Sequence, residues 1–270
     1  MPIEKQTSYP SYDEPILGWY AGAYDFAYIA FHPFVRIQGL DPAQCAPWTT
    51  HVSRSDLPHD LTLTDISAHL KRGREFQFSP EVVDEIAKRR GLALRWSEVG
   101  KAAGLANPAK LNVALLTGIG ALKTEFEDRT GAERLTSYCA SQQIFLPTEG
   151  QFQAVMEQSV GKLFADASIG RVEAAHQFDE EARPIELDLL QSQQPWCSIE
   201  GIPNRAGRIF GEDRSLLVVV DWDSFFTLIC GKAERLQNVD LTKLFEGFWC
   251  GPATTHSWWR HATGLEDFRH

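Results

Sequence analysis

The sequence predicts an α+β protein in which a helical N-terminal half packs on a C-terminal, mainly antiparallel β-sheet. Three observations lead to this fold class. Helix start and stop signals are concentrated between about residues 62 and 167. Short segments with strand character follow from about residue 168 to about 262, and two of them look like the arms of a hairpin. Because helices come first and strands second, without alternation, the order is typical of α+β folds rather than parallel α/β folds.

One domain preceded by a loose arm is the predicted domain organisation. The chain has 270 residues, of which 43% are hydrophobic and 11% aromatic. This content supports a sizeable core and argues against a disordered chain. Residues 1–23 begin with a polar stretch that carries three prolines, and they are predicted to form the arm. Residues 24–270 are predicted to form a single domain with a helical part over about 62–167 and a sheet part over about 168–262.

The first part of this domain is predicted to hold one strand and then a series of helices. Residues 24–37 are rich in aromatic and β-branched side chains and indicate a strand. Pro33 must lie at its end or edge, because proline cannot donate to a ladder. Residues 79–81 supply a capping hydroxyl, a proline and an acid, so a helix is predicted from there to Gly91. Further helices are predicted over 64–72, 97–105, 109–128 and 148–166.

The second part of the domain is predicted to be a sheet. The segment PIELDLL, residues 184–190, alternates apolar and polar residues, which is the period of a half-buried strand. LLVVVDW over 216–222 and FFTLIC over 225–230 do not alternate, so we expect both of their faces to be covered. Shorter strands are predicted within 196–202 and 207–211, and a helix is predicted near 234–245.

Two aspartates lie between the two most hydrophobic segments of the chain. Asp221 and Asp223 belong to the sequence DWDS, and Asp and Ser favour turns because their side chains bond to nearby backbone amides. A turn at this point would pair the flanking segments as a β-hairpin. The alternative is a functional acidic rim at the end of a buried strand.

Charge and cysteine content narrow the function classes. The net charge of −10 and the pI of about 5.3 disfavour binding to nucleic acid or to anionic membranes. The start of the chain lacks a signal-peptide pattern and no apolar run approaches the ~20 residues that span a bilayer, so a cytoplasmic protein is expected. Five scattered cysteines without a CxxC pair indicate reduced thiols rather than a disulfide framework.

No established catalytic or cofactor motif is present, and neither a cofactor nor a metal is predicted. The chain lacks GxSxG, Walker A and HExxH patterns. Residues 96–126 have the order of a helix–turn–helix, but the second helix is apolar nearly all round, which is typical of a core helix. The strongest metal or acid–base constellation is Asp221, Asp223 and His256, with Glu200 as a fourth group, and it depends on these segments being adjacent in the fold.

The C-terminal third is rich in tryptophan and acidic residues. Between residues 165 and 225, twelve Asp and Glu stand against five Lys and Arg. Aromatic and acidic groups together are suited to a face that binds a basic partner protein. The alternative is that the tryptophans fill the core and the acids only solvate it. The candidate binding residues are Glu200, Trp222, Trp258 and Trp259.

Several segments carry a family resemblance. Over about 25–260 the chain resembles an uncharacterised bacterial family labelled only as a domain of unknown function. The segments concerned are FHPFV, WSEVGKAAGL, ALLTGIGALKTEF, LPTEG and VVDWDSFFTLICG. The resemblance implies no activity, cofactor or catalytic residue. The order of strand, acidic turn, strand and helix is also similar in shape to immunity proteins that neutralise bacterial toxins, although fold does not imply function.

Two hypotheses of different class follow. The leading one is a non-enzymatic cytosolic interaction protein with an acidic, tryptophan-rich C-terminal face, similar to an immunity protein. It is motivated by the lack of a catalytic motif and by the composition of the C-terminal third. The alternative is a metal-assisted or acid–base hydrolase centred on Asp221, Asp223 and His256.

Overall fold

The computed structural model describes residues 7–46, 76–176, 181–196, 207–221 and 223–260. The strands are β1 Phe26–Phe31, β2 Phe34–Arg36, β3 Leu92–Leu94, β4 Ile144–Phe145, β5 Val172–Ala175, β6 Arg183–Ile185, β7 Arg208–Gly211, β8 Leu216–Val220, β9 Phe226–Gly231 and β10 Gly247–Trp249. The helices are α1 Ile16–Trp19, α2 Pro80–Arg90, α3 Trp96–Ala102, α4 Pro108–Gly118, α5 Arg129–Ser141, α6 Glu157–Asp166, α7 Leu187–Gln191, α8 Ala233–Leu236 and α9 Leu241–Leu244. The helix predicted over 64–72 and most of the strand predicted within 196–202 lie outside the described residues.

Seven strands form one sheet in the order β10-β1-β9-β8-β7-β5-β6. Every pair of neighbours in this sheet is antiparallel. The predicted α+β fold with a mainly antiparallel sheet is therefore confirmed. Strand β1 comes from the N-terminal part of the chain but lies between β10 and β9, so helical and sheet segments are interleaved in space.

Helices cover both faces of this sheet. On β8, Leu217 and Val219 belong to a core that also contains residues of α3, α4 and α5. Leu216, Val218 and Val220 belong to a second core with residues of α6. Successive side chains of a strand point to opposite faces, so a strand between two cores must be apolar at every position. This requirement explains the uninterrupted run LLVVV.

Strands β8 and β9 form the predicted hairpin. Leu216 lies opposite Gly231, and Val220 lies opposite Thr227. Ser224 closes the loop, because its backbone N–H donates to the Asp221 carbonyl oxygen at 3.1 Å and its Oγ lies 2.9 Å from the same oxygen. The turn predicted at DWDS is confirmed for the backbone.

Pro33 lies where the chain passes from one sheet to another. Strand β1 before it belongs to the seven-stranded sheet, and β2 after it belongs to a three-stranded sheet of order β3-β2-β4. The indole N–H of Trp96 donates to the carbonyl oxygen of His32 at 2.6 Å and holds this crossing in place. The proline is at a strand end as predicted, while the single predicted strand over 24–37 is two strands.

The helix α2 matches its prediction, but the long helix predicted over 109–128 is wrong. The helix α4 ends at Gly118. Gly120 follows with a φ of +68°, a backbone conformation that favours glycine and breaks the helix. Asp128 begins the next helix instead of ending the previous one, since its Oδ1 accepts from the N–H of Gly131 at 2.8 Å. The helix α5 that follows was not predicted.

Three other predicted elements have different bounds. The helix predicted from 148 begins at Glu157, after a 3-10 turn at Ala154–Met156. The strand predicted over 184–190 ends at Ile185 and continues as α7. Gly161 of α6 lacks a side chain and so lets Leu190 approach closely, and this packing overrides the alternating pattern. The helix predicted near 234–245 is two short helices, α8 and α9.

The described part of the predicted arm, residues 7–23, is packed rather than loose. Ile16 and Tyr20 have no exposed surface and belong to the core that contains α3 to α5. The N–H of Ile16 donates to the Thr254 carbonyl oxygen at 2.9 Å, and the Tyr20 hydroxyl donates to the Ser8 carbonyl oxygen at 2.7 Å. The prediction of a loose arm is wrong here, because large apolar side chains within it gain free energy by burial.

Candidate functional site

The structure brings two of the predicted site residues together. Asp221 follows the last residue of β8, and His256 precedes a 3-10 turn at Trp258–Arg260. The Nε2 atom of His256 lies 3.6 Å from Oδ2 of Asp221. Asp221 is 4% exposed, and the hydroxyl of Tyr12 donates to its Oδ2 at 2.7 Å. Three distant parts of the chain therefore meet at one carboxylate.

His256 is a neutral imidazole in an aromatic environment. The ring of Tyr12 contacts it edge-on with centroids 4.3 Å apart, and the ring of Phe226 lies at 5.3 Å. Burial lowers the pKa of His256 to about 3, and the nearby guanidinium of Arg260 lowers it further. The contact with Asp221 is therefore not an ion pair at neutral pH. Within the described part of the chain, neither ring nitrogen has a hydrogen-bond partner.

A small cleft of about 80 Å³ lies beside this pair. Its lining includes Tyr12, Asn112, Asp223, His256 and Arg260. Asn112 is 1% exposed, and neither atom of its amide group has a hydrogen-bond partner among the described residues. Buried amides normally have partners, so an amide without one beside a cleft is suited to a bound group. The third predicted residue, Asp223, thus lies in the same cleft as His256.

Three carboxyl groups lie close enough to affect one another. Burial raises the pKa of Asp223, and the negative charge of Asp221 raises it further. Burial also raises the pKa of Glu149 to about 7, with a second contribution from Asp223. The backbone N–H of Gly150 donates to the Ser224 carbonyl oxygen at 2.9 Å and ties the Glu149 segment to the β8–β9 loop. Burial and like charges together therefore raise the pKa of the Asp223 and Glu149 carboxyl groups.

The other predicted residues are the binding candidates, and one of them, Trp259, also lines the small cleft. Glu200 and Trp222 lie outside the described residues. Trp258 and Trp259 are 7% and 9% exposed and belong to the core that contains α3 to α5. Their burial favours a role in packing over a role at an exposed binding face. Of the tryptophans that the structure describes in this region, Trp249 is exposed, at 45%.

Sequence reasoning missed Tyr12, Asn112 and Glu149. The sequence patterns place Tyr12 in the predicted arm, Asn112 in a predicted apolar helix and Glu149 at a predicted helix start. Asn112 is a polar residue between Leu111 and Val113 in a mainly apolar helix, and it is the one local signal that the sequence offers for these three residues. The helix α4 itself is a core helix as predicted, since six of its eleven residues are buried.

A second buried histidine has ordinary structural partners. His32 has no exposed surface; its Nδ1 lies 2.8 Å from the Thr148 carbonyl oxygen and its Nε2 lies 2.9 Å from Thr227 Oγ1. Burial lowers its pKa to about 4. Both nitrogens are used, one as donor to the carbonyl and one as acceptor, so His32 fits a role in holding the fold.

Metal-binding groups and membrane-spanning helices were sought among the residues that the structure describes. In this part of the chain, no three or more His, Cys, Asp or Glu side chains are grouped to hold a metal ion, and none of the helices combines the length and hydropathy needed to span a bilayer.

Comparisons with known proteins place the chain in a family. No curated protein and no solved structure matches the chain. A family model matches residues 12–260, and the chain therefore belongs to the family described as "Protein of unknown function (DUF2711)".

Proposed function

We propose that the protein is an acid–base hydrolase whose centre consists of Asp221, Asp223 and His256. The observation that supports this most is the 3.6 Å contact between His256 and Asp221 beside a cleft that Asp223 also lines. Catalytic hydrogen bonds are often long in a ligand-free enzyme and shorten in the reacting complex. The position of the pair is therefore suited to acid–base work, although burial keeps the neutral imidazole of His256 a weak base in the ligand-free protein.

The proposed roles follow from charge and position. The neutral imidazole of His256 accepts a proton from the attacking water, and the Asp221 carboxylate stabilises the imidazolium that forms. The Tyr12 hydroxyl holds that carboxylate in place. Water oxygen bonds to the acyl carbon of the substrate. As the bond to the leaving group breaks, the leaving group takes a proton from Asp223, whose pKa is raised by burial and by the charge of Asp221.

Asn112 supplies the remaining function that acyl transfer needs. A tetrahedral intermediate carries negative charge on the former carbonyl oxygen, and an amide N–H₂ group is a donor suited to it. The Asn112 amide is buried beside the cleft without a partner. At about 30 Å³ per water molecule, the cleft has room for two or three water-sized groups, so it accepts the reacting group of a substrate rather than a whole substrate.

Hydrolysis of p-nitrophenyl acetate and p-nitrophenyl butyrate tests this proposal. We expect His256→Gln and Asp221→Asn to lower kcat at least about 100-fold, the usual contribution of a positioned acid or base. Asp188→Asn makes the same change at an exposed position and should leave the rate unaltered. Circular dichroism establishes that each variant is folded. A folded His256→Gln protein with wild-type rates, or a wild-type protein that hydrolyses neither ester, contradicts the proposal.

A second proposed function is the binding of a basic partner protein. It is supported by an exposed aromatic pair at the edge of the seven-stranded sheet. Phe26 of β1 and Trp249 of β10 are 46% and 45% exposed, and their ring centroids lie 6.0 Å apart. Among the described residues, β10 is one of the two edge strands of this sheet, and an exposed tryptophan on an edge strand is suited to protein contacts. The net charge of −10 favours a basic partner.

A photo-crosslinking amino acid at position 249 tests this second function in the native host. The matched control carries the same group at position 92, where Leu92 is 57% exposed on β3. We expect one cross-linked protein of basic pI from position 249 and none from position 92. The same set of products from both positions, or an acidic partner, contradicts it.

A further inference from the structure

A second cleft lies apart from the small cleft beside His256. It has a volume of about 370 Å³, which is within the range of small-molecule sites. Its described lining comes mainly from α2, α5, β4 and the segments 42–46 and 146–155, and it shares no residue with the lining of the small cleft. At about 30 Å³ per water-sized group, it accepts a ligand of roughly a dozen such groups.

Most of the described wall of this cleft is apolar. Val83 and Ala87, one turn apart on α2, line it together with Ile144 and Phe145 of β4. A ligand body placed against such a wall gains free energy when its apolar area is removed from water. The main body of a fitting ligand is therefore apolar.

One buried polar side chain in the lining lacks a partner. Gln153 is 6% exposed, and its Oε1 has no hydrogen-bond donor among the described residues. Its backbone is held in place, since the N–H of Met156 donates to the Gln153 carbonyl oxygen at 2.8 Å. Buried amides normally have partners, and an acceptor left unpaired costs free energy. A ligand that donates a hydrogen bond to Oε1 removes that cost.

The cleft also contains acidic side chains, but they do not determine the ligand. Asp84 and Glu149 line it, and each already has an interaction within the chain. We therefore derive the polar group of the ligand from Gln153 and assign no ligand contact to these two acids.

The donor that suits Gln153 is a hydroxyl group. An ether or a carboxylate presents only acceptors and cannot pair with Oε1. A primary amide offers donors, but it brings a carbonyl oxygen that needs a donor of its own against an apolar wall. A hydroxyl group donates its proton and brings the fewest further polar atoms into the cleft.

We infer that this cleft binds a neutral alcohol with an apolar body, whose hydroxyl group donates to Oε1 of Gln153. The body of the alcohol contacts the apolar residues of α2 and β4. The inference concerns binding alone and does not depend on the proposed hydrolase, whose residues lie in the other cleft.

Calorimetric titration with two matched probes tests the inference. 4-Phenylbutan-1-ol and its methyl ether share one body, and only the alcohol donates a hydrogen bond. We expect the alcohol to bind the wild-type protein about tenfold tighter than the ether, because the ether leaves a buried acceptor unpaired. Equal affinities of the two probes, or no binding of the alcohol at millimolar concentration, overturn the inference.

A variant without the amide isolates the contribution of Gln153. Met has a side chain of nearly the same length, so Gln153→Met removes the amide and keeps most of the volume. We expect the alcohol and the ether to bind this variant with equal affinity, and circular dichroism establishes that it is folded. A preference for the alcohol that persists in folded Gln153→Met overturns the inference. If the variant does not fold, the comparison of the two probes on the wild type still decides.

A blocking variant shows where the alcohol binds. Ala140 is an exposed residue of α5 that lines the cleft, so Ala140→Trp fills space without disturbing the core. Ser137→Trp adds the same side chain on the same helix at an exposed position that does not line it. We expect Ala140→Trp to abolish binding of 4-phenylbutan-1-ol and Ser137→Trp to retain it. Retained binding in Ala140→Trp assigns the alcohol to another site and overturns the inference, whatever the esterase assay shows.

Discussion

Lys88 is a buried lysine whose side chain has no exposed surface. It donates to Glu157 at 2.5 Å, to the Gln194 carbonyl oxygen at 2.7 Å and to the Leu189 carbonyl oxygen at 3.4 Å. Glu157 in turn accepts from the backbone N–H of Trp196. Burial raises the pKa of Glu157 to about 7, and the charge of Lys88 opposes that rise. Every donor of this buried lysine has a partner, which fits a structural pair that joins α2, α6 and the end of α7.

We predict that Lys88→Met lowers the free energy of unfolding by about 3 to 5 kcal/mol, because it leaves Glu157 buried without its cation. Arg89→Met is the matched control on the same helix. The Arg89–Glu85 ion pair is about half exposed, so its loss should cost no more than about 1 kcal/mol. Urea denaturation at pH 7.5 measures both. Equal losses in the two variants would show that the buried pair contributes no more than a surface pair.

A single residue of the site could be predicted only where the sequence pattern placed it at the end of a helix or strand. Asp221 is a candidate because it lies at the end of a strand that is predicted to be buried, whereas His256 is a candidate only if its segment lies beside that strand in the fold. The contact of Tyr12 with Asp221 joins residues 209 positions apart, and no local pattern carries that information. Glu149 owes its raised pKa to burial and to Asp223, and both causes exist only after folding.

Helix ends show how far local signals determine an element. The helix predicted from residue 109 begins at Pro108 in the structure, and the Asn107 Oδ1 accepts from the N–H of Ala109 at 2.9 Å. Ser79 also has the right type for a cap, but its side chain makes no capping hydrogen bond. The start of α3 receives its acceptor from far along the chain, since Glu246 accepts from the N–H groups of Trp96 and Ser97. Residue type predicts where a helix begins better than it predicts which atom satisfies its amides.

We predict that Asp128→Ala destabilises the protein by about 1 kcal/mol, because it removes the acceptor for the Gly131 N–H at the start of α5. Ser79→Ala is the control at the start of α2, where no side-chain capping bond is lost. Its expected cost is a few tenths of a kcal/mol. Thermal denaturation of the two variants compares them directly. A larger loss for Ser79→Ala than for Asp128→Ala would contradict the assignment of caps.

At the scale of the whole molecule, the fold class could be predicted because the hydrophobic pattern of each segment indicates which of its faces are buried. The runs in β8 and β9 predicted a covered hairpin, and the structure places a core on each face of it. The position of β1 between β9 and β10 could not be predicted, because strand order depends on contacts between distant segments. The helices on both faces follow from that order, and so does the meeting of Tyr12, Asp221 and His256.

Two buried histidines and two buried glutamates have opposite effects on how the stability of the whole molecule changes with pH. The pKa of His32 is lowered to about 4 and that of His256 to about 3, so below their unfolded pKa of ~6.5 the unfolded chain binds more protons. Acidification from pH 7 to 5 therefore removes stability at these two sites. The pKa values of Glu149 and Glu157 are raised to about 7, so acidification over the same range adds stability at those sites.

The contribution of one histidine can be isolated from this balance. With a folded pKa of about 4, His32 should cost about 2 kcal/mol of stability between pH 7 and pH 5. We predict that His32→Asn is less stable than wild type at pH 7, since it loses contacts, but that its deficit shrinks by about 2 kcal/mol at pH 5. Thr227→Val removes the hydroxyl that bonds to Nε2 and keeps the imidazole, so its deficit should stay nearly constant over this range. Urea denaturation at the two pH values measures all three proteins. A deficit of His32→Asn that is the same at both values would show that this histidine is protonated in the folded protein as readily as in the unfolded chain.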